Sequence, residues 1–361
     1  MNITYVITGL KMGGAEKQVC LLADKMSELG HDIVLVSLLD NPIVLPKQRN
    51  VRVYELGMKK NPLSIFVCYL KLCKIIKNNN PDVVHSHLFH ANIMCRLTRL
   101  FVSIKKLICS AHSRHEGGRI RMMLYRITDF LANITTNVSQ DAVDEAVKRR
   151  AVPKNKIKLV YNGIDTTSIK KIQNAKLTIY SELNLKEDVR LLLAVGRFTT
   201  AKDYPNLLHA LKIINAENLS VHLIIAGHGE LFDEVKELSK ELKLNNNVHF
   251  LGLRHDIPLL ISAADLFVLS SAWEGLPLVV GEAMACETFV VTTNCGGVGE
   301  ILGDTGIIVP VKSPQPLAEG IKSALKMDEN ELSIHSFAAR KRVDDIFSIN
   351  NIVTKWIEIY H

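Results

Sequence analysis

Two glutamates eight residues apart, Glu274 and Glu282, bracket a stretch whose residue types suit both anions and hydroxyl groups. It reads Ser270-Ser271-Ala272-Trp273-Glu274-Gly275-Leu276-Pro277-Leu278-Val279 and runs on to Cys286 with no breaker except Gly281. The apolar run Leu266–Leu269 before it predicts a buried strand. The residues after Pro277 predict a helix, with Glu282 about two turns inside it. A helix opening on a Gly/Pro loop presents backbone N–H groups that have no partner within the helix, and these form a cradle for phosphate. Gly275, Pro277, Leu278 and Val279 line that cradle. Carboxylates are poor phosphate ligands but good acceptors for vicinal sugar hydroxyls. Two of them beside a phosphate cradle therefore imply a ligand that carries both groups, as a nucleotide-sugar does. Taken singly, Glu-Gly-Leu-Pro is an ordinary surface turn and a helical glutamate is ordinarily solvated.

Cations stand at the end of another predicted strand, Val189–Val195, followed by Gly196, Arg197 and, five residues later, Lys202. Such residues often serve only as salt-bridge partners. This pair also suits neutralising a departing diphosphate without a metal ion, and no Asp-x-Asp pair occurs in the chain. Gly227 and Gly229 form a Gly-x-Gly turn after the run Leu223–Ala226, and Arg254 follows the run Asn247–Leu253 as a candidate contact for a base. In the first half, a strand at Ile3–Ile7 leads into a glycine loop with Gly14 and Glu16 at the start of a helix. The G-x-G-x-x-G spacing is absent there, and no acid closes the second strand before Asp40, which argues against a dinucleotide fold. His112 ends the predicted strand Lys106–Ser113, at the edge where open α/β sheets place ligands. His85, His87 and His115 are nearby competitors for its role.

The whole pattern resembles the family 4 glycosyltransferases of the GT-B class. In that family E-x7-E follows D-x-x-x-x-S and precedes a G-G-x-x-E loop, which here correspond to Glu274, Glu282, Asp265, Ser270, Gly296, Gly297 and Glu300. The family's G-R-x-x-x-x-K falls on Gly196, Arg197 and Lys202, its G-G-A-E on Gly13 to Glu16, and its N-G-x-D on Asn162, Gly163 and Asp165. The resemblance implies transfer with retention of configuration and needing no metal cofactor. It further implies His112 on the reacting face, Glu300 shaping the nucleotide pocket, and Gly227 and Gly229 wrapping the nucleotide; the donor base, uracil or guanine, stays open, and a UDP-sugar is the preferred reading. Arg197 and Lys202 would stabilise the diphosphate, Glu282 would bind ribose and Glu274 the donor sugar.

The elements that must position these groups alternate along the chain. Apolar runs of five or six residues, loops and amphipathic stretches follow one another as β-loop-α-β units, the pattern of doubly wound parallel sheets. The 361 residues, 47% hydrophobic and 22% charged, predict a globular α/β protein of two domains; the resemblance implies that these are two Rossmann-like domains facing across a cleft. We read an acceptor-binding domain over 1–172, a polar linker over 166–185, and a nucleotide-sugar domain over 186–344. The resemblance implies that the end helix in 345–361 packs back on the first domain. Asp203 and Asp256 are expected to cap the helices that follow them. Seven cysteines without C-x-x-C spacing fit a reducing compartment, and the N-terminus predicts a strand in place of a signal peptide.

Charge is uneven. Through Gln173 there are 27 Lys and Arg against 13 Asp and Glu, whereas the remainder holds 17 against 24. A basic half with Ile, Met and Leu among its cations, as in His115–Met123 and Lys148–Lys158, predicts contact with an anionic membrane surface and a polyprenyl-diphosphate-linked or other glycan acceptor. With 6% aromatic residues and no recognition-helix pattern, nucleic acid is excluded as a partner. The expected location is cytoplasmic, on the inner face of the cell membrane. A nucleotide-sugar 2-epimerase of the same architecture and a catalytically silent nucleotide-sugar-binding protein are the competing readings.

Overall fold

A computed structural model describes residues 1–114, 117–217 and 220–361. His115, one of the histidines considered above, lies outside the described residues. The chain divides into two compact units, Met1–Gly163 with Ile349–His361, and Ile164–Ser348.

Unit 1 begins β1 (Asn2–Ile7), α1 (Gly14–Glu28), β2 (Asp32–Ser37), β3 (Arg52–Glu55), α2 (Pro62–Asn79) and β4 (Val83–His87). It continues α3 (Phe89–Thr98), β5 (Lys106–Ser110), α4 (Arg119–Thr128), β6 (Ile134–Asn137), α5 (Gln140–Lys148) and β7 (Ile157–Leu159). Its seven strands are ordered β3-β2-β1-β4-β5-β6-β7, and every pairing is parallel. Strands covered on both faces need continuous apolar runs, and Tyr5, Val6 and Ile7 are all fully buried. β6, α4 and α5 were not read from the sequence.

Unit 2 runs α6 (Ala175–Glu182), β8 (Arg190–Val195), α7 (Tyr204–Asn215), β9 (Val221–Ala226), α8 (Phe232–Glu241), β10 (Val248–Gly252) and α9 (Ile257–Ala263). Then come β11 (Leu266–Leu269), α10 (Leu278–Ala285), β12 (Phe289–Thr293), α11 (Val298–Leu302), β13 (Ile307–Val309), α12 (Pro314–Lys326) and α13 (Glu329–Arg342). The strand order is β10-β9-β8-β11-β12-β13, again all parallel. Sequence order reverses between β1 and β4 in one sheet and between β8 and β11 in the other. At such switch points the loops leaving the strands diverge and open a crevice.

The final helix α14 (Ile349–Tyr360) belongs to unit 1. Ile349, Ile352, Val353, Trp356 and Tyr360 form its buried stripe, at the spacing of one helix face.

Three expectations need correction. The stretch assigned to a linker contains α6, which is tied to the sheet. Lys176 donates to Asp265 at 2.9 Å and the Leu191 amide to the same carboxylate at 2.7 Å, while the Tyr180 hydroxyl donates to the Val189 carbonyl at 2.7 Å. Asp265, the first residue of D-x-x-x-x-S, is thus a structural anchor. Asp203 stands at the N-cap of α7 and Asp256 at that of α9, but neither side chain caps its helix. Asp203 has φ +47°, and Asp256 faces Arg254 instead.

Candidate functional site

In unit 2 the predicted residues converge at the switch point between β8 and β11. Beyond β8 the chain turns at Gly196, and the stem of Lys202 lies across it. A Cβ on Gly196 would sit 2.7 Å from Lys202 Cε, so the lysine stem in this pose uses the space that glycine leaves open at the strand end. Lys202 Nζ donates to Glu274 Oε1 at 2.7 Å, and Ser271 Oγ donates to the same oxygen at 2.7 Å. The Lys202 and Glu274 side chains are 17% and 16% exposed, sheltered but reachable. No other hydrogen bond is recorded for either side chain among the described residues, which leaves Glu274 Oε2 and two of the ammonium's three N–H donors available. The two loops are sewn together around this pair. Ser270 Oγ donates to the Lys202 carbonyl at 2.9 Å, the Ala272 amide to the Ala201 carbonyl at 2.8 Å, and the Tyr204 hydroxyl to the Gly196 carbonyl at 3.1 Å.

The glycines of this region earn their place by close backbone approach. A Cβ on Gly227, at φ +146°, would lie 1.9 Å from the Gly196 carbonyl oxygen. One on Gly229 would lie 2.5 Å from that of Phe198. The Gly-x-Gly turn therefore packs directly on the segment that carries Arg197. Gly296, at φ +55°, approaches Glu274 in the same way, with a Cβ position 2.3 Å from its carbonyl oxygen, and the Gly297 amide donates to the Gly275 carbonyl at 2.8 Å. The G-G-x-x-E loop thereby props the loop that bears Glu274.

After Pro277, α10 opens with Leu278 and Val279, whose first-turn amides a helix leaves unpaired. Glu282 and Glu300 are half-buried, and Arg197 is exposed. Glu282 is a little over one turn into α10, not two, because the helix starts only at Leu278. Arg254 departs from its expected role, since its guanidinium is clasped by Glu182 and Asp256 and so ties the loop after β10 to α6. Among the described residues no group of three or more His, Cys, Asp or Glu is placed to hold a metal ion.

In unit 1, Gly14 and Glu16 occupy the first turn of α1, where Gly14 is exposed and Glu16 half-buried. His112 lies two residues beyond β5, and its Nε2 is 3.0 Å from His87 Nδ1. His87 is 2% exposed, and its Nε2 has no hydrogen-bond partner. Its ring centroid lies 4.0 Å from that of His85, with the two planes tilted by 36°. His85 in turn bonds Ser110 Oγ at 2.6 Å and the Tyr360 hydroxyl at 2.7 Å, and Tyr360 meets the Tyr5 hydroxyl at 3.1 Å. A buried polar chain thus joins α14 to the end of the sheet that carries His112.

His87, which the sequence offered only as a competitor of His112, is the residue that the structure places against it. Its signal was the His85-Ser86-His87 repeat, which puts two imidazoles on one face of β4. Burial holds the His112 value down at about 4, and burial also puts His85 and His87 well below the usual imidazole range, with the neighbouring rings adding to the effect. All three rings are neutral at pH 7, so the His87–His112 contact is an N–H···N bond between neutral partners.

The sign of the pH effect follows. The unfolded rings titrate near 6.5, above the folded values, so stability from the cluster is complete above about pH 6.5 and is lost as pH falls toward 4. The melting temperature is expected to drop between pH 7 and pH 5, and to drop less in His112→Asn. An equal slope in both proteins would contradict the assignment.

The family described as "Glycosyltransferase Family 4" matches residues 12–168, and the one described as "Glycosyl transferases group 1" matches residues 175–342. N-acetyl-alpha-D-glucosaminyl L-malate synthase of Bacillus anthracis is 25% identical, covering 97% of this chain and 94% of its own. The UDP-Gal:alpha-D-GlcNAc-diphosphoundecaprenol alpha-1,3-galactosyltransferase of Escherichia coli is 25% identical, covering 81% of this chain and 78% of its own. The crystal structure of Anabaena HepE in complex with UDP and glucose matches with a TM-score of 0.89 at 20% identity, over 99% of each chain.

Proposed function

The chain belongs to the family 4 glycosyltransferases and has their GT-B fold of two doubly wound domains, and on that premise we propose that it moves a hexose or N-acetylhexosamine from a UDP-sugar to a lipid-linked glycan. Configuration at the anomeric carbon is retained and no metal ion takes part. The observation that carries this reading is the Lys202–Glu274 pair over Gly196, with one open carboxylate oxygen and two open N–H donors.

In the proposed reaction Lys202 and Arg197 meet the oxygens of the diphosphate as the glycosidic bond to it breaks. Such charge-assisted bonds strengthen as charge accumulates on the leaving group, which is why they favour the transition state over the ground state. The unpaired amides of Leu278 and Val279 take further phosphate oxygens. Glu274 Oε2 accepts from a donor-sugar hydroxyl, so that one salt bridge registers sugar against phosphate. Glu282 binds the ribose, Glu300 supports the nucleotide pocket, and His112 serves the reacting face of the sugar. The acceptor hydroxyl attacks on the face that the leaving phosphate vacates, and that phosphate receives the hydroxyl proton.

The two relatives' names point to different acceptors, L-malate in one and a diphosphoundecaprenol-linked sugar in the other. Unit 1 favours the second. It holds 26 Lys and Arg against 13 Asp and Glu. Its α2 exposes Leu63, Phe66 and Leu70 on the face that also carries Lys74 and Lys77. An apolar face bordered by cations suits the surface of an anionic bilayer. No helix among the described residues is long and apolar enough to cross a membrane. The proposed attachment, carried by that cation-bordered face, is peripheral and on the cytoplasmic side.

The test is to incubate the protein with UDP- and GDP-sugars, with and without membrane extract, and to measure nucleotide release. Transfer predicts release that depends on extract and survives EDTA undiminished. Strict dependence on Mn²⁺ would contradict the metal-free mechanism. Isomerised donor without release would indicate a 2-epimerase, and binding without either product a silent protein.

A further inference from the structure

Unit 1 also holds an arginine-walled concavity of about 460 Å³, lined by Arg119, Met122, Met123, Arg126, Arg149 and Arg150. It lies between α4 and the C-terminal turn of α5. Among the described residues no acid lines it, and of the four arginines only Arg149 has an acidic partner, Glu145. The residues Ile120, Met123 and Ile127 form a stripe along α4 at the spacing of one helix face and are 73%, 55% and 55% exposed. Arg119 and Arg126, seven residues apart, run alongside that stripe. An amphipathic helix in a soluble protein ordinarily turns its apolar stripe inward. Here Tyr125 and Thr128 are buried and Met122 and Leu124 half-buried, while Ile120, Met123 and Ile127 face out.

The helix is held firmly in this pose. Fully buried Arg96 of α3 donates to the Tyr125 carbonyl at 2.8 Å and to Thr128 Oγ1 at 3.1 Å, and the Arg121 guanidinium lies 4.8 Å from the centre of the Phe89 ring. Met122 and Arg149 also line a small neighbouring cavity whose wall includes Ala111 and Ser113, the residues on either side of His112.

We propose that this pocket binds the diphosphate of a prenyl-diphosphate-linked acceptor, with the first isoprene units lying on the Ile120–Met123–Ile127 stripe. Guanidinium forks suit bidentate phosphate contacts, and converging on a concavity they select a compact dianion over a flat charged surface. The lysine-bordered face of α2 has the opposite character. Because the pocket adjoins the wall beside His112, a bound diphosphate directs the glycan it carries toward that histidine. The inference rests on the lipid-linked acceptor proposed above.

The test uses the full chain saturated with UDP, so that the nucleotide site is filled. Affinities are measured for farnesyl diphosphate, inorganic pyrophosphate, farnesol and phosphatidylglycerol vesicles. The wild type is expected to bind farnesyl diphosphate more tightly than pyrophosphate or farnesol. Arg119→Ala/Arg126→Ala is expected to weaken that binding at least tenfold while keeping the wild-type melting temperature and UDP affinity, since both side chains are exposed. Equal affinity of the two proteins for farnesyl diphosphate would overturn the proposal. So would a variant that loses only vesicle binding, which would make the patch a general membrane contact. UDP affinity and extract-dependent release report on the transferase reading separately, so the two ideas can fail independently.

Discussion

Replacing Lys202 with alanine is expected to lower kcat by about 10²- to 10³-fold, the usual loss when one preorganised donor to a developing anion is removed. The size of the effect follows from position. Lys202 is held over Gly196, its carbonyl is fixed by Ser270, and its ammonium is already oriented by Glu274, so little reorganisation is needed when charge develops. KM for the donor should change less than kcat, because the leaving group is most charged in the transition state. The fold should persist, since the side chain is partly exposed and α7 does not depend on it for a cap. Steady-state kinetics together with a thermal melt check both halves of the expectation. Wild-type kcat in a folded Lys202→Ala protein would contradict it.

Gly227→Ala is expected to destabilise unit 2 by about 3 kcal/mol or more, the upper range of overpacking costs, with added strain from a left-handed backbone. The added methyl would stand 1.9 Å from a carbonyl oxygen, inside any possible contact distance, and the obstacle is main chain. Relief requires the Gly196 turn to move, which would shift Lys202 as well, so activity should fall together with stability. Gly252→Ala is the matched control. Gly252 also has positive φ, +63°, but a Cβ there meets nothing within 4 Å. It should cost only about 1–2 kcal/mol, the left-handed penalty alone. Melting temperatures of the two variants separate steric clash from backbone strain, and equal losses would show that the close approach is not what demands glycine at 227.

Much of the fold was legible because parallel strands buried on both faces must be written as unbroken apolar runs, as in Leu191-Leu192-Leu193. α6 was hidden because only Ala175, Ile179 and Tyr180 of its eight residues are buried, too few to mark a helical period. α4 was hidden for a different reason. Its Ile120, Met123 and Ile127 point outward, so the pattern does not report a clear core-facing stripe. At the site, Glu274, Lys202 and Gly196 were legible from type and spacing, and they meet. The purpose of several motif residues was not legible, because it depends on contacts distant in sequence. Asp265 secures α6, Ser270 holds the Lys202 carbonyl, Arg254 is taken up by Glu182, and Gly227 and Gly229 make room for the neighbouring main chain. His87 became visible as a partner of His112 only once β4 and β5 were paired in register, with His87 beside Ser110.

All of the chemistry proposed depends on Lys202 facing the diphosphate. The most direct measurement is a crystal structure of the full chain with the donor's nucleoside diphosphate bound. The account predicts Lys202 Nζ within about 3 Å of a phosphate oxygen, the ordinary length of a charge-assisted hydrogen bond. A well-ordered diphosphate bound elsewhere, with Lys202 still engaged only by Glu274, would contradict it.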